Sequence, residues 1–133
     1  MSGVLRIRLR WSFNMEAVLL ISHGSRSVRT KEEVEALVKD LKKRSGIPIF
    51  EYAFLEIESP DIPAGIDRCV AQGATQVRVL LNFLNSGRHV NDDIPGIVRR
   101  AGEKYPRVRF TISGPVGQHP RIAELFLDLI KNA

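Results

Sequence analysis

Four short runs of aliphatic and β-branched residues recur along the chain, at residues 17–21 (AVLLI), 47–54 (IPIFEYAF), 77–81 (VRVLL) and 108–112 (VRFTI). Their length and side-chain types predict strands. They begin 30, 30 and 31 residues apart, which leaves room in each interval for a helix and two loops. The intervals carry the matching helical stripes. Val34, Leu37, Val38 and Leu41 stand at i, i+3, i+4 and i+7, and Ile94, Ile97, Val98, Ala101 and Ile122, Leu125, Phe126, Leu129 repeat that spacing. Ile62, Ile66, Cys69 and Val70 form a fourth apolar set. Ser59 and Pro60 read as an N-cap and first helical residue, Gly46 and Gly73 follow the first two helices, and Pro120 opens the last.

Alternation at this period predicts an α/β fold: a four-stranded parallel sheet joined by right-handed crossovers, with helices on both faces, in a flavodoxin-like single domain. The four βα units do not match residue by residue, so the repetition is architectural. Residues 1–14 stand apart from it. Leu5, Ile7, Leu9 and Trp11 alternate there with Arg6, Arg8 and Arg10, the pattern of an edge strand with one apolar face; a disordered leader ahead of Met15 fits equally. The chain therefore divides into an extension over 1–14 and one domain over 15–133.

Composition fits this reading: 44% hydrophobic and 26% charged residues are those of a globular chain with a core. The formal charge of +5 suggests an anionic partner until its distribution is considered. Three of the basic residues lie in the acid-free first fourteen positions, which leaves 17 basic against 15 acidic in the body. A nearly balanced body lacks the basic stripe of a nucleic-acid binder. The single cysteine, Cys69, excludes an intrachain disulfide, and a reducing cytosol is the expected compartment. No apolar run approaches the roughly 20 residues that cross a bilayer, so no membrane partner is expected.

In an open parallel sheet, ligands bind beyond the carboxyl ends of the strands. All three histidines fall in the loops that follow strands: His23 in SHGSR, His89 in GRHVNDDIP and His119 in GQHP. If the first and third strands are neighbours, His23 and His89 project into one crevice. Neutral imidazoles there would suit iron, cobalt, nickel or zinc, with Glu56 completing a carboxylate-bearing site. Ser25, with its loop amides, and the guanidinium groups of Arg26 and Arg88 could hold carboxylates. Each residue also has a plainer reading. His23 could bond a loop carbonyl, His89 could cap a helix, and His119 beside Pro120 fits a helix entrance. Glu56 and Glu58 could be solvated acids. Asp92 and Asp93 suit the helix dipole, and Cys69 suits the core. The chain has no GxxxxGK[ST], GxGxxG or GxSxG, and no Arg precedes His23-Gly24 as a histidine phosphatase loop requires.

Taken together, HGSR (23–26), FLE (54–56) before Pro60, QGA (72–74), GRHVNDDIP (87–95) and GPVGQHP (114–120) resemble the small class II tetrapyrrole chelatases, the sirohydrochlorin cobaltochelatase and ferrochelatase group. The resemblance covers about residues 16–131. Ser22 stands where that pattern commonly has glycine, the first fourteen residues have no counterpart, and no His-rich insertion is present. The resemblance implies a chelatase-like fold and a lyase-type chelatase that inserts Co²⁺, Fe²⁺ or Ni²⁺ into sirohydrochlorin without ATP, in cobalamin or sirohaem biosynthesis. It implies no permanently bound cofactor, since the divalent metal is itself a substrate. His23 and His89 match the paired active-site histidines that hold the metal or take ring protons, and Glu56 matches the acid beside them. A flat macrocycle is large for one such domain, which implies a homodimer with the cleft between copies. The rival reading is a carrier that binds a tetrapyrrole or metal without turnover.

Overall fold

The computed structural model describes residues 14–133, so the extension expected over 1–14 lies, apart from Asn14, outside the described residues. Strands β1 (Glu16–Ser22), β2 (Ile49–Phe54), β3 (Gln76–Leu81) and β4 (Arg109–Pro115) alternate with helices α1 (Val28–Ser45), α2 (Ile62–Ala71), α3 (Ile94–Lys104) and α4 (Ile122–Lys131). A π-helical turn over His89–Asp93 leads into α3, and a short 3₁₀ turn over Val116–Gln118 follows β4. The sheet is parallel throughout, in the order β2-β1-β3-β4. β1 and β3 are neighbours on either side of the point where strand order reverses.

The two faces of β1 build two cores, because successive side chains of a strand point in opposite directions. Ala17, Leu19 and Ile21 pack with Ile62, Ile66 and Cys69 of α2 and with Ile94 and Val98 of α3. Val18 and Leu20 pack with Val34 and Val38 of α1 and with Phe50 and Phe54 of β2. A side chain at Gly65 would meet Ala53 Cβ and Leu19 Cδ1 at 2.9 Å, so glycine there lets α2 lie close on the sheet. Cys69 is fully buried, and that burial, with the Glu51 charge adding, pushes its thiol pKa up to about 12. It is a core residue with no thiolate chemistry near neutral pH.

Three details differ from the sequence expectation. Asp61, and not Ser59, caps α2: its Oδ1 accepts the Ala64 amide at 2.9 Å. The Pro60 carbonyl is meanwhile occupied by the Phe54 amide at 2.8 Å, which keeps residue 60 outside the helix. Pro120 likewise precedes α4, whose entry is shaped by the Arg121 amide donating to His119 Nδ1 at 3.0 Å. The last helix also fails to cover the sheet of its own chain. Leu125, Phe126, Leu127, Leu129 and Ile130 are all more than half exposed and no α4 residue is buried. The uncovered ground is an apolar groove of about 580 Å³ between α1 and the β4 end, lined by Leu20, Leu37, Leu41, Leu80, Pro115 and Val116. Among the described residues no helix is long and apolar enough to cross a membrane.

Candidate active site

The strand register aligns the loops that carry the polar residues. Ser22 pairs with Phe54, and Ile21 pairs with Leu81, so the first three strands end level and release their loops side by side. Ser22, in the place where glycine is common, is buried, and its Oγ accepts the Asn82 side-chain amide at 3.0 Å. The Asn82 backbone amide donates to Ile21 O at 2.8 Å. These bonds tie the exits of β1 and β3 together directly beneath His23.

The loop after β2 continues the pairing past the strand end. Leu55 N donates to Ser22 O at 2.9 Å and Glu56 N to His23 O at 3.1 Å. Gly24 then passes so close to the Glu56 carbonyl that any Cβ would overlap it, and it adopts φ +106°. Ile57 takes φ +71°, a conformation β-branched residues rarely adopt. It turns the chain between two acids that both reach back to the first loop. Glu56 Oε1 lies 2.7 Å from His23 Nε2, and Glu58 Oε1 accepts the Ser25 amide at 2.7 Å. The side chains of His23 and Glu56 are 48% and 52% exposed, so the pair is formed but open to an incoming molecule.

His89 comes from the far side of the crevice. The π turn is closed by the Ile94 amide donating to the His89 carbonyl, the five-residue reach that defines this rare geometry and is frequent at functional sites. The ring centroids of His89 and His23 lie 5.4 Å apart at 69°, and Phe83 stands edge-on to His23 at 6.4 Å. His89 Nδ1 is 2.7 Å from Asp93 Oδ2. Each histidine thus has one ring nitrogen engaged by a carboxylate and one left to act as a donor or base. Among the described residues no three His, Cys, Asp or Glu side chains converge as a metal cage. The carboxylates are turned toward their own histidines and do not share one point with both.

The structure therefore brings His23, Glu56 and His89 together at one strand-end crevice. Arg26 and Arg88 are exposed on the loops that carry the two histidines and make no ion pair among the described residues. The Ser25 amide, expected to face an anion, is instead taken by Glu58, and the Ser25 Oγ accepts the Ser27 amide at 3.1 Å, which leaves the hydroxyl proton for Ser25 to donate to a ligand. His119 belongs elsewhere: it shapes the entry to α4. Asp93 and Glu58 are the contacts that the sequence reading missed. By sequence alone Asp93 suits the helix dipole; its spacing four residues after His89 at a helix start is the signal for the contact.

The Gly24 crossing yields a sharp expectation. Gly24→Ala forces a side chain into the Glu56 carbonyl at a φ unfavourable to alanine, a strain of about 1–3 kcal/mol. Thermal unfolding should show a lowered Tm, and separation of the first two loops should weaken any activity that needs the His23–Glu56 pair. An unchanged Tm would contradict this loop packing.

The CbiX family model matches residues 17–133. The sirohydrochlorin ferrochelatase of Priestia megaterium is 34% identical over 116 residues, covering 87% of this chain and 44% of its own length. The sirohydrochlorin cobaltochelatase of Sulfolobus acidocaldarius is 29% identical over 119 residues, covering 90% of this chain and 93% of its own. The crystal structure of the sirohydrochlorin chelatase SirB from Bacillus subtilis subspecies spizizenii in complex with cobalt superposes with a TM-score of 0.80 at 32% identity, covering 88% of this chain and 50% of that one. This chain spans about half the length of the curated relatives it matches first.

Proposed function

Because the chain belongs to the CbiX family, we propose that it inserts a divalent metal, Co²⁺, Fe²⁺ or Ni²⁺, into sirohydrochlorin without ATP. The observation that carries this reading is the approach of His23 and His89 to 5.4 Å between ring centroids, each with a carboxylate on one nitrogen. Insertion forms bonds between the metal and the ring nitrogens and releases two protons from the pyrrole N–H groups. A site for it needs bases within reach of those protons and neutral donors that can replace part of the metal's water shell. His23 and His89 supply imidazole donors for the metal or accept ring protons. Glu56, 2.7 Å from His23, assists proton removal by stabilising the imidazolium that forms. Arg26 and Arg88, with the Ser25 hydroxyl, suit the peripheral carboxylates of the macrocycle, which guanidinium groups can hold bidentately.

The partner is a second copy of the chain. Among the described residues the apolar side chains of α4 have no cover, and neither has the groove between α1 and β4. In a twofold pair each α4 can lie over the other copy's groove, which buries both surfaces at once.

The function is tested by anaerobic mixing of sirohydrochlorin with Co²⁺ or Fe²⁺ and the protein. The absorption change of metallation should run faster than in the protein-free control. A spectrum that records binding alone, with metallation at the control rate, would make the protein a tetrapyrrole or metal carrier and would contradict the proposal.

A further inference from the structure

Among the described residues, Asp93 and His89 form the one carboxylate–imidazole contact of the crevice that lies within a single element. The π turn places them on the same side, with Asp93 Oδ2 2.7 Å from His89 Nδ1. An ionised carboxylate only accepts hydrogen bonds, so the proton of a neutral His89 ring must sit on Nδ1, and Nε2 carries the lone pair. His23 is held through the opposite atom, Nε2, by Glu56. By the same rule a neutral His23 keeps its proton on Nε2 and its lone pair on Nδ1. The two rings are therefore fixed as opposite tautomers by two carboxylates on two different loops.

We propose that Asp93 is a positioning residue, which holds His89 as the Nδ1–H tautomer so that Nε2 is the donor presented to the metal. This rests on the reading of the crevice as a metal-insertion site. A carboxylate behind a metal-binding imidazole raises the basicity of the ring and fixes its orientation, and losing it typically costs about 10–100-fold in metal affinity or activity. Asp93 and His89 are 42% and 44% exposed, so a substitution at 93 reaches the crevice without opening the core. Asp93→Asn keeps a side-chain oxygen that can accept from Nδ1–H, whereas Asp93→Ala removes it.

The test compares both variants with wild type in two measurements. With the metal concentration varied, Asp93→Ala should raise KM for the metal or lower kcat/KM about 10–100-fold, with KM for sirohydrochlorin little changed, and Asp93→Asn should recover most of the loss. In ¹⁵N NMR of the imidazoles, His89 should be the Nδ1–H tautomer in wild type and Asp93→Asn and shift toward Nε2–H in Asp93→Ala. The proposal is overturned if the tautomer of His89 is the same in all three proteins, or if Asp93→Ala retains the wild-type metal dependence. Failure of the function itself reads differently: the wild-type protein would then show no accelerated insertion at all.

Discussion

His23→Ala is expected to lower kcat/KM for metal insertion about 10²–10⁴-fold, the range associated with loss of a positioned base, while leaving the fold intact. The imidazole lies at the exit of β1 and is half exposed, so its removal leaves no cavity in either core. What is lost is local and chemical. Glu56 loses the ring nitrogen 2.7 Å away, and His89 loses the ring that faces it at 5.4 Å. Glu56→Gln should act in the same direction with a smaller effect, because the amide keeps a hydrogen-bond contact to His23 but cannot stabilise an imidazolium as a charge does. The check is steady-state insertion of Co²⁺ and of Fe²⁺, with the Tm of each variant measured beside it. A His23→Ala protein with wild-type kcat/KM would remove His23 from the mechanism, whatever the geometry.

The second large effect concerns α4. If two copies pair through α4 as proposed, a double substitution, Phe126→Lys with Leu129→Lys, is expected to give monomers and to reduce insertion with it. Full burial of a Leu, Ile or Phe side chain contributes about 1.5–3 kcal/mol. Two such contributions would be lost from each copy, and four lysine charges would enter an apolar interface. The same positions are 55% and 65% exposed within one chain, so the fold of the monomer should tolerate the change. Light scattering at micromolar concentration should give the mass of two chains for wild type and of one for the variant. A wild-type monomer, or a variant that keeps the dimer mass, would contradict the exchange of α4 between copies.

Much of this architecture was legible because its signals are periodic. The runs at 17–21, 47–54, 77–81 and 108–112 lie over the four observed strands, with shifts of at most three residues at their ends. The stripe Val34, Leu37, Val38, Leu41 did mark a helix, with Val34 and Val38 in the core. The approach of His23 and His89 also followed from the sequence once the first and third strands were supposed adjacent. Other features have no periodic signature. Nothing in GRHVNDDIP distinguishes a π turn from the first turn of an α-helix, because both place acids near the helix start. Asp93 therefore has the sequence signature of a dipole-favoured acid, whereas in the structure its carboxylate lies on His89 Nδ1. Glu58 was hidden for a different reason: its contact with the Ser25 amide depends on the positive φ at Ile57, which no propensity would assign to isoleucine. The stripe on α4 is apolar in the sequence and apolar in the structure. A stripe states that a face will be buried, and it does not state whose surface will bury it.

The chelatase reading predicts turnover, and that is where it can be tested most directly. With the protein held well below the concentration of sirohydrochlorin under anaerobic conditions, Co²⁺ or Fe²⁺ should be inserted into many equivalents of the macrocycle for each chain. The wild-type rate should exceed the protein-free rate, and the His23→Ala, His89→Ala double variant should fall to it. Conversion that stops at one equivalent per site, or a double variant as fast as wild type, would contradict catalysis by the paired histidines.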